Sequence, residues 1–364
     1  MVEIKPTHAL VFGVPGPTLD PETKRIIKDV DPGGFILFSR NIKDPQQLRT
    51  LIDGLREICT ITPVITIDQE GGRVSRLKEL GEEPPHAVQL RDVGDLELIE
   101  RHGSLTGQLL RQFGFNLDLC PVLDIAFDDE AENSLRGRTW GRTQGEVAEN
   151  AGVFLDAMRA EGVLASGKHF PGYSGATVDP HYELPSVDRR LEELLKAEWA
   201  PYAVLKDRLD TVMMGHALYP NVDDSGLPAS LSKVMIEEQL RGRLGFSGCV
   251  VSDDLDMGAI TKGWSLGESV RLAVEGGTDL VLICHRLKYA AEAAEAVANI
   301  DSKTIAPNLK RLQALQEKLS PPKEFSLERF REIDSEIGGL RQDVLAKGAA
   351  PVESKASHSP VEDF

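Results

Sequence analysis

The chain contains eight short runs of apolar residues, separated by longer stretches of mixed character. Most runs are rich in β-branched or aromatic residues and do not alternate with polar positions. This pattern is typical of strands that are buried on both faces of a parallel sheet. We therefore predict eight strands, at residues 9–12, 34–38, 64–67, 115–119, 163–165, 211–214, 249–251 and 279–283.

Amphipathic helical patterns occupy most of the intervals between these runs. They predict helices at residues 45–58, 95–113, 144–161, 191–206, 233–244, 264–275 and 287–300. Eight strands with mostly helical crossovers predict an α/β protein whose single domain is a (β/α)8 TIM-type barrel. An open doubly wound sheet is the alternative, but no Gly-x-Gly-x-x-Gly motif follows an early strand.

The C-terminal region is predicted to extend the barrel with helices and then to lose structure. After Asp301 the pattern indicates one or two surface helices, interrupted at Pro321 and Pro322. We place the barrel and these helices in residues 1–343. Residues 344–364 consist largely of Ala, Ser, Pro and charged residues with little apolar content, which predicts a disordered tail.

Composition narrows the function and the cellular location. Of the 364 residues, 27% are charged and the net charge is −17, which disfavours binding to nucleic acid or to an anionic membrane surface. No apolar run is long enough to span a membrane and the N-terminus lacks a signal-peptide pattern, so we expect a cytoplasmic protein. The four cysteines form no Cys-x-x-Cys pair and the histidines form no ligand cluster. We therefore predict no metal and no cofactor.

Polar residues follow several predicted strands at the end where barrel enzymes carry their chemistry. Each has an ordinary structural explanation, because Asp68 or Asp253 can cap a helix and Lys168 can form a structural ion pair. Acidic, basic and guanidinium groups nevertheless converge from five strands, which favours an active site. The candidate residues are Asp68, Arg73, Arg138, Lys168, His169, Asp179, His181 and Asp253.

Four motifs occur in order along the chain: Ile67-Asp68-Gln69-Glu70-Gly71-Gly72-Arg73-Val74, Lys168-His169-Phe170-Pro171-Gly172, Asp179-Pro180-His181 and Ser252-Asp253-Asp254-Leu255. Together they resemble glycoside hydrolase family 3, and in particular its single-domain bacterial β-N-acetylglucosaminidases, from about residue 8 to about residue 300. The resemblance implies a (β/α)8 barrel and hydrolysis of a terminal β-linked N-acetylglucosamine with retention. It further implies a small carbohydrate or muropeptide substrate and a role in muropeptide recycling.

The resemblance also implies roles for the candidate residues. Asp253 matches the nucleophile that forms a covalent glycosyl-aspartate intermediate. Asp179 and His181 match the general acid/base dyad on the loop after the fifth strand. The residues that match substrate-binding positions are Asp68, Arg73, Arg138, Lys168 and His169.

These roles agree with the chemistry of the residues themselves. Retaining hydrolysis needs a carboxylate on one face of the anomeric carbon and a proton donor on the other. Asp253 ends a strand, where neighbouring cations such as Lys168 keep it ionised; its neighbour Asp254 should point the other way and is the alternative. An imidazole titrates near neutrality, and Asp179, two positions away on an extended loop, shares a face with His181 and raises its basicity.

Two departures from the family pattern lie on the catalytic loop. The family usually continues Pro-Gly-His-Gly-Asp, whereas here Tyr173, Ser174 and Gly175 follow, and Pro180 replaces the usual Ser between the dyad residues. They concern loop conformation and leaving-group choice more than the reaction class.

Other functions remain open on the sequence alone. A phosphorylase on the same site is one alternative, because a histidine does not repel an incoming phosphate. A Schiff-base aldolase using Lys168, a non-catalytic sugar-binding barrel and a magnesium site at Asp253-Asp254-x-Asp256 are the others.

Overall fold

The computed structural model describes residues 3–129, 133–176 and 178–350. In this part of the chain, eight parallel strands form one sheet that is nearly closed into a barrel, which confirms the predicted fold class. The strands are β1 (Leu10–Gly13), β2 (Gly34–Leu37), β3 (Val64–Ile67), β4 (Leu117–Asp118), β5 (Leu164–Phe170), β6 (Thr211–Met214), β7 (Cys249–Ser252) and β8 (Val281–Ile283). From β1 to β7 each strand pairs with the next one in sequence, and β8 pairs with β1. Between β7 and β8 a single isolated bridge joins Val251 to Leu280, the residue before β8.

The strand bounds differ from the predicted ones where polar residues are involved. β5 continues through Lys168 and His169 to Phe170, five residues beyond its predicted end, because backbone pairing and burial hold polar side chains that resemble a loop in the sequence. β4 comprises two residues only. A short antiparallel hairpin of Gln69–Gly71 and Val74–Ser75 follows β3 and was not predicted.

Helices fill the crossovers, and several of them begin at a capping side chain that accepts backbone N–H groups of the first turn, as Asp44 and Asp95 do. The predicted helix 191–206 is two short helices, and 233–244 is a π-helix. Helices at Pro21–Val30 and Ala87–Val93 were not predicted. The remaining crossover and flanking helices are Pro45–Ile58, Leu96–Phe113, Gln144–Ala160, Leu191–Lys196, Ala200–Leu205, Val234–Arg243, Gly258–Thr261, Leu266–Gly276 and Ala290–Ala298.

The C-terminal helices are Ser302–Gln316 and Leu327–Ala346, separated by the segment that contains Pro321 and Pro322. The second packs against Leu96–Phe113, where the rings of Phe330 and Phe113 lie 5.6 Å apart. The second helix continues to Ala346, three residues past the predicted end of the ordered region. Residues 351–364 of the predicted tail lie outside the described residues, so their disorder stays a prediction. Across the described ranges, no helix combines the length and apolar character needed to cross a membrane.

The barrel interior ends in an apolar layer beneath the carboxyl rim. Four apolar side chains line the bottom of the rim pocket: Ile36 from β2, Leu119 directly after β4, Met213 from β6 and Leu282 from β8. Four side chains from alternate strands form one layer of a packed (β/α)8 barrel. The odd-numbered strands therefore supply the next layer, and these strands carry Asp68, Lys168 and Asp253.

Asp31 joins three segments at the opposite side of the fold. It follows the helix Pro21–Val30 in a left-handed conformation with φ of 51°. Its carboxylate accepts the backbone N–H of Thr60 at 3.0 Å, the Thr60 hydroxyl and the Lys5 ammonium at 3.1 Å. Burial alone would raise the pKa of Asp31, but the hydrogen bonds from Thr60, Lys5 and His8 hold it at about 2, below the ordinary value of 3.8.

We expect Asp31→Asn to lower the free energy of unfolding by about 2 kcal/mol at neutral pH. Because the folded-state pKa lies below the unfolded one, the stabilisation is complete above about pH 4 and is lost as the pH falls toward about 2. Urea unfolding across this range checks both statements. Asp29→Asn is the matched control, because Asp29 is exposed and forms an ion pair with exposed Arg25. A loss for Asp31→Asn that is equally large near pH 2 would contradict the electrostatic explanation.

Candidate active site

An open pocket lies at the carboxyl ends of the strands and encloses about 700 Å³, including the solvent at its mouth. The structure brings together in its wall seven of the eight residues that the sequence singled out; the eighth, Asp179, pairs with one of them. The seven are Asp68, Arg73, Arg138, Lys168, His169, His181 and Asp253.

The hairpin after β3 presents several of these groups. Its turn needs glycine, because Gly72 has φ of 54° and a Cβ there would lie 2.3 Å from Cγ of the buried His86. The turn places Arg73 at the pocket, while Asp68 lies at the base of the hairpin directly after β3. The polar and glycine residues after β3, which resemble a loop in the sequence, therefore form a defined β-hairpin.

Lys168 is the centre of a buried ion network. Its ammonium lies 2.7 Å from Oδ1 of Asp68 and 2.6 Å from Oε1 of Glu70, and its side chain is 2% exposed. Arg138 forms a two-pronged pair with the same Glu70, with both N–O distances at 2.8 Å. Burial alone would lower the pKa of Lys168, but the charges of Asp68 and Glu70 raise it above its usual range. The amine is therefore protonated at neutral pH, which argues against the Schiff-base alternative.

Asp124, a buried residue that follows β4, positions the next two pocket residues. Its Oδ2 accepts the backbone N–H of His169 at 3.1 Å and lies 2.8 Å from Nδ1 of the same residue, and its Oδ1 accepts the backbone N–H of Tyr173 at 2.6 Å. Because the carboxylate accepts at Nδ1, the His169 proton lies there and Nε2 is the acceptor. One carboxylate thus fixes the end of β5 and the start of the loop that follows it.

Asp253 and Asp254 have different environments. The backbone N–H of Asp253 donates to Met214 O at 2.9 Å, which fixes it beside the end of β6, and its half-buried side chain lines the pocket. Burial would raise the pKa of Asp253, but the imidazoles of His216, His169 and His181 together hold it below its ordinary value. The carboxylate is therefore ionised at neutral pH, as a nucleophile must be.

The Asp254 side chain has a structural role. Its Oδ1 accepts the backbone N–H groups of Asp256 at 2.9 Å and Cys284 at 3.1 Å. Burial and the neighbouring Asp256 raise the pKa of Asp254 well above its usual range. Of the two adjacent carboxylates, Asp253 is thus the one suited to attack a sugar.

The Asp179–His181 pair lies on the loop after β5. Oδ1 of Asp179 is 2.5 Å from Nδ1 of His181 and also accepts the His181 backbone N–H at 3.0 Å. The carboxylate therefore accepts a hydrogen bond from the Nδ1–H group, which keeps the ring proton on Nδ1 and places Nε2 on the side of the ring away from Asp179. The loop is fastened to the segment that follows Asp253, because Gly258 N–H donates to His181 O and Ala259 N–H donates to Pro180 O, at 3.0 and 3.2 Å.

The residues of the magnesium alternative point elsewhere. Asp256 pairs with Arg286 and accepts the backbone N–H of His285 at 2.7 Å, and Oδ1 of Asp254 accepts two backbone N–H groups as described above. Among the described residues, no group of three or more His, Cys, Asp or Glu side chains is arranged to hold a metal ion.

Sequence reasoning assigned no role to four residues that shape the pocket. Glu70 lies within a quoted motif, but its pairing with Arg138 spans 68 positions, and Asp124 reaches His169 across 45. His216 follows β6 and is held by Ser230 Oγ and Asp254 O, at 2.7 and 2.8 Å. Tyr173 was noted only as a departure. The one available signal was their placement directly after barrel strands or within the quoted motifs.

Comparison with known proteins agrees with this geometry. Residues 7–315 match the model of the glycosyl hydrolase family 3 N-terminal domain. A beta-hexosaminidase from Pseudomonas aeruginosa is 33% identical over 311 residues, which cover 85% of this chain and 91% of that protein. One from Methylococcus capsulatus is 33% identical over 312 residues, covering 84% and 90%.

Solved structures are similar as well. A family 3 beta-N-acetylglucosaminidase from Paenibacillus sp. str. FPU-7 superimposes with a TM-score of 0.83 at 32% identity, covering 93% of this chain and 68% of that one. Native NagZ from Neisseria gonorrhoeae gives a TM-score of 0.78 at 27% identity, covering 96% and 100%. The motifs, the barrel and these matches agree: the chain belongs to glycosyl hydrolase family 3 and is a glycoside hydrolase.

Proposed function

We propose that the protein is a retaining β-N-acetylhexosaminidase that releases terminal β-linked N-acetylglucosamine through a glycosyl-aspartate intermediate. The observation that carries this proposal is one pocket that contains an ionised carboxylate, Asp253, and an imidazole, His181, oriented by its own carboxylate partner. The names of the similar proteins support the same activity.

In the first half-reaction, the Asp253 carboxylate attacks the anomeric carbon while His181 Nε2 gives a proton to the departing oxygen. The bond to the aglycone breaks as the bond to the aspartate forms. In the second half-reaction, neutral His181 takes a proton from water, the water oxygen attacks the anomeric carbon, and the Asp253 carboxylate leaves with the electron pair. Both steps invert the anomeric centre, so the product retains the β configuration.

The sugar is held by the buried ion network. Asp68 and Lys168 line the pocket as paired groups that accept and donate hydrogen bonds, which suits neighbouring hydroxyls of a pyranose. Arg138 and His169 line the same wall. The apolar side chains of Met213 and Leu282 line the same pocket.

We expect Asp253→Ala to lower turnover of an aryl β-N-acetylglucosaminide by several orders of magnitude, because it removes the group that forms the intermediate. Added azide should then restore sugar release as the α-glycosyl azide, since the small anion occupies the space of the missing carboxylate. Released aryl alcohol and the anomer of the azide are measured by absorbance and NMR.

The control for this experiment is Asp224→Ala, which changes an exposed aspartate and should keep wild-type kinetics. Wild-type reactions run with and without inorganic phosphate test the phosphorylase alternative, because a sugar phosphate product would replace the free sugar. Near-normal activity of Asp253→Ala, or a β-glycosyl azide from it, would contradict the nucleophile assignment.

His181→Ala should slow glycosylation by about 100-fold or more for substrates with poor leaving groups, because these need the proton. Dinitrophenyl-type leaving groups depart without one, so their glycosylation should change far less. Azide should rescue the second half-reaction and give the β-glycosyl azide, the opposite anomer to the Asp253→Ala product. Asp179→Asn should have a milder effect of the same kind. Equal losses for good and poor leaving groups would show that the proton comes from another residue.

The natural aglycone is proposed to be an acidic muramic acid derivative, which would place the enzyme in muropeptide recycling in the cytoplasm. Three guanidinium groups, those of Arg73, Arg76 and Arg138, line the pocket. Burial and the charge of Arg138 lower the pKa of Arg73, so an additional anion beside it relieves the repulsion. Arg138 is engaged by Glu70, and Arg76 lies 3.6 Å from Oδ2 of Asp68, which leaves Arg73 as the group suited to a carboxylate on the aglycone.

Arg73→Met should lower kcat/KM for N-acetylglucosaminyl-anhydromuramic acid about tenfold more than for chitobiose, since it removes a hydrogen bond to a charged group. Product release from the two substrates is compared by chromatography. The same variant should leave the aryl glycoside, which has no carboxylate, close to wild type. Equal losses on acidic and neutral aglycones would contradict this role of Arg73.

A further inference from the structure

The Tyr173 hydroxyl lies between β6 and the nucleophile. The side chain is buried, its oxygen accepts the backbone N–H of His216, and it lies 3.4 Å from Oδ2 of Asp253. Nothing in the motif pattern accounts for this contact, because Tyr173 is the position at which the chain leaves the family pattern.

The surrounding structure is built to hold this ring. Asp124 fixes the Tyr173 backbone, and the next side chain, Ser174, accepts the Ile125 N–H at 2.9 Å. The tip of the ring occupies the space above Gly215, where an added Cβ would lie 2.7 Å from Cζ and 2.8 Å from the hydroxyl oxygen. The His169 ring packs beside it with centroids 5.0 Å apart. Tyr173 is thus held by contacts with Asp124, Gly215 and His169.

The direction of the hydrogen bonds follows from the partners. The His216 N–H can only donate, so it uses a lone pair of the phenol oxygen and leaves the phenol proton for another acceptor. The nearby acceptor is Oδ2 of Asp253. The phenol keeps its proton because burial and the charge of Asp253 raise the pKa of Tyr173 well above its usual range.

We propose that Tyr173 is a further residue of the catalytic machinery, whose hydroxyl donates a hydrogen bond to Asp253 and assists its departure from the sugar in the second half-reaction. The inference rests on the proposed function, because it assumes that Asp253 becomes esterified. The distance of 3.4 Å is long for such a bond, and contacts between catalytic groups shorten when the site closes on a substrate.

The hydrogen bond affects the two half-reactions differently. It stabilises the free carboxylate most, the half-charged carboxylate of each transition state less, and the neutral ester least. In glycosylation the carboxylate loses charge, so removing the hydrogen bond raises the starting state at least as much as the transition state. In deglycosylation the ester bond to Asp253 breaks and the electron pair returns to the carboxylate, so removing the hydrogen bond raises the barrier.

Tyr173→Phe tests the proposal, because it keeps the ring between Gly215 and His169 and removes only the hydroxyl. With a dinitrophenyl β-N-acetylglucosaminide, the burst of aryl alcohol reports glycosylation and the steady rate reports deglycosylation. We expect deglycosylation to slow about tenfold, while glycosylation changes by less than about threefold. As a result kcat and KM should fall together and kcat/KM should change little.

The matched control is Tyr202→Phe. Tyr202 is buried beside β5, with its ring 5.2 Å from that of Phe170 in this strand. Its hydroxyl has no hydrogen-bond partner among the described residues. The same chemical change there should leave both half-reactions as in the wild type.

Gly215→Ala gives a second, independent test. Its methyl group displaces the Tyr173 hydroxyl, so it should reproduce the slow deglycosylation, and adding Tyr173→Phe to it should cause little further loss. Equal slowing of both half-reactions in Tyr173→Phe, or no change in either, would overturn the proposal. That outcome differs from failure of the proposed function, in which the wild-type enzyme forms no intermediate and Asp253→Ala is active.

Discussion

The buried charge of Lys168 is the constraint on which the rest of the site depends. An ammonium that is 2% exposed is stable only when it is paired and hydrogen-bonded, since desolvation of an unpaired charge is far too unfavourable. Its two carboxylate partners both come from the β3 hairpin, and one of them also holds Arg138 from the long loop after β4. Pairing one lysine therefore determines the relative positions of three segments that are distant in sequence.

This constraint also explains how a rigid site is built on irregular backbone. The pocket floor consists of apolar side chains from even-numbered strands, and packing holds them in place. The layer above it is polar, so packing alone cannot fix it. Hydrogen bonds and ion pairs fix the polar layer instead: those of Glu70 with Arg138, of Asp124 with His169, and of the Asp253 backbone with β6.

The sequence was informative to the extent that local patterns carry the structure. Apolar runs located all eight strands, and the position of polar residues after those strands located the pocket. The extension of β5 through Lys168, and the pairing of Glu70 with Arg138, were not predicted, because both depend on partners tens of positions away. The helix Pro21–Val30 was not predicted for a different reason, because only three of its residues are buried. The roles of the individual site residues remain predictions that the geometry supports.

The two departures from the family pattern fit the site for different physical reasons. Pro180 has no N–H, yet the loop is attached to the segment after Asp253 through the carbonyl groups of Pro180 and His181; the attachment uses only acceptors, so proline satisfies it. Tyr173 instead adds a donor, and it needs the space that Gly215 leaves. The carbonyl groups of Pro180 and His181 hold the loop after β5 against the segment after Asp253, and the Tyr173 hydroxyl contacts Asp253 itself, so His181 and Asp253 are positioned by neighbouring contacts of one loop. Because His181 acts in both halves of the proposed reaction and Tyr173 in the second, only separate measurement of the two half-reactions distinguishes a change at one from a change at the other.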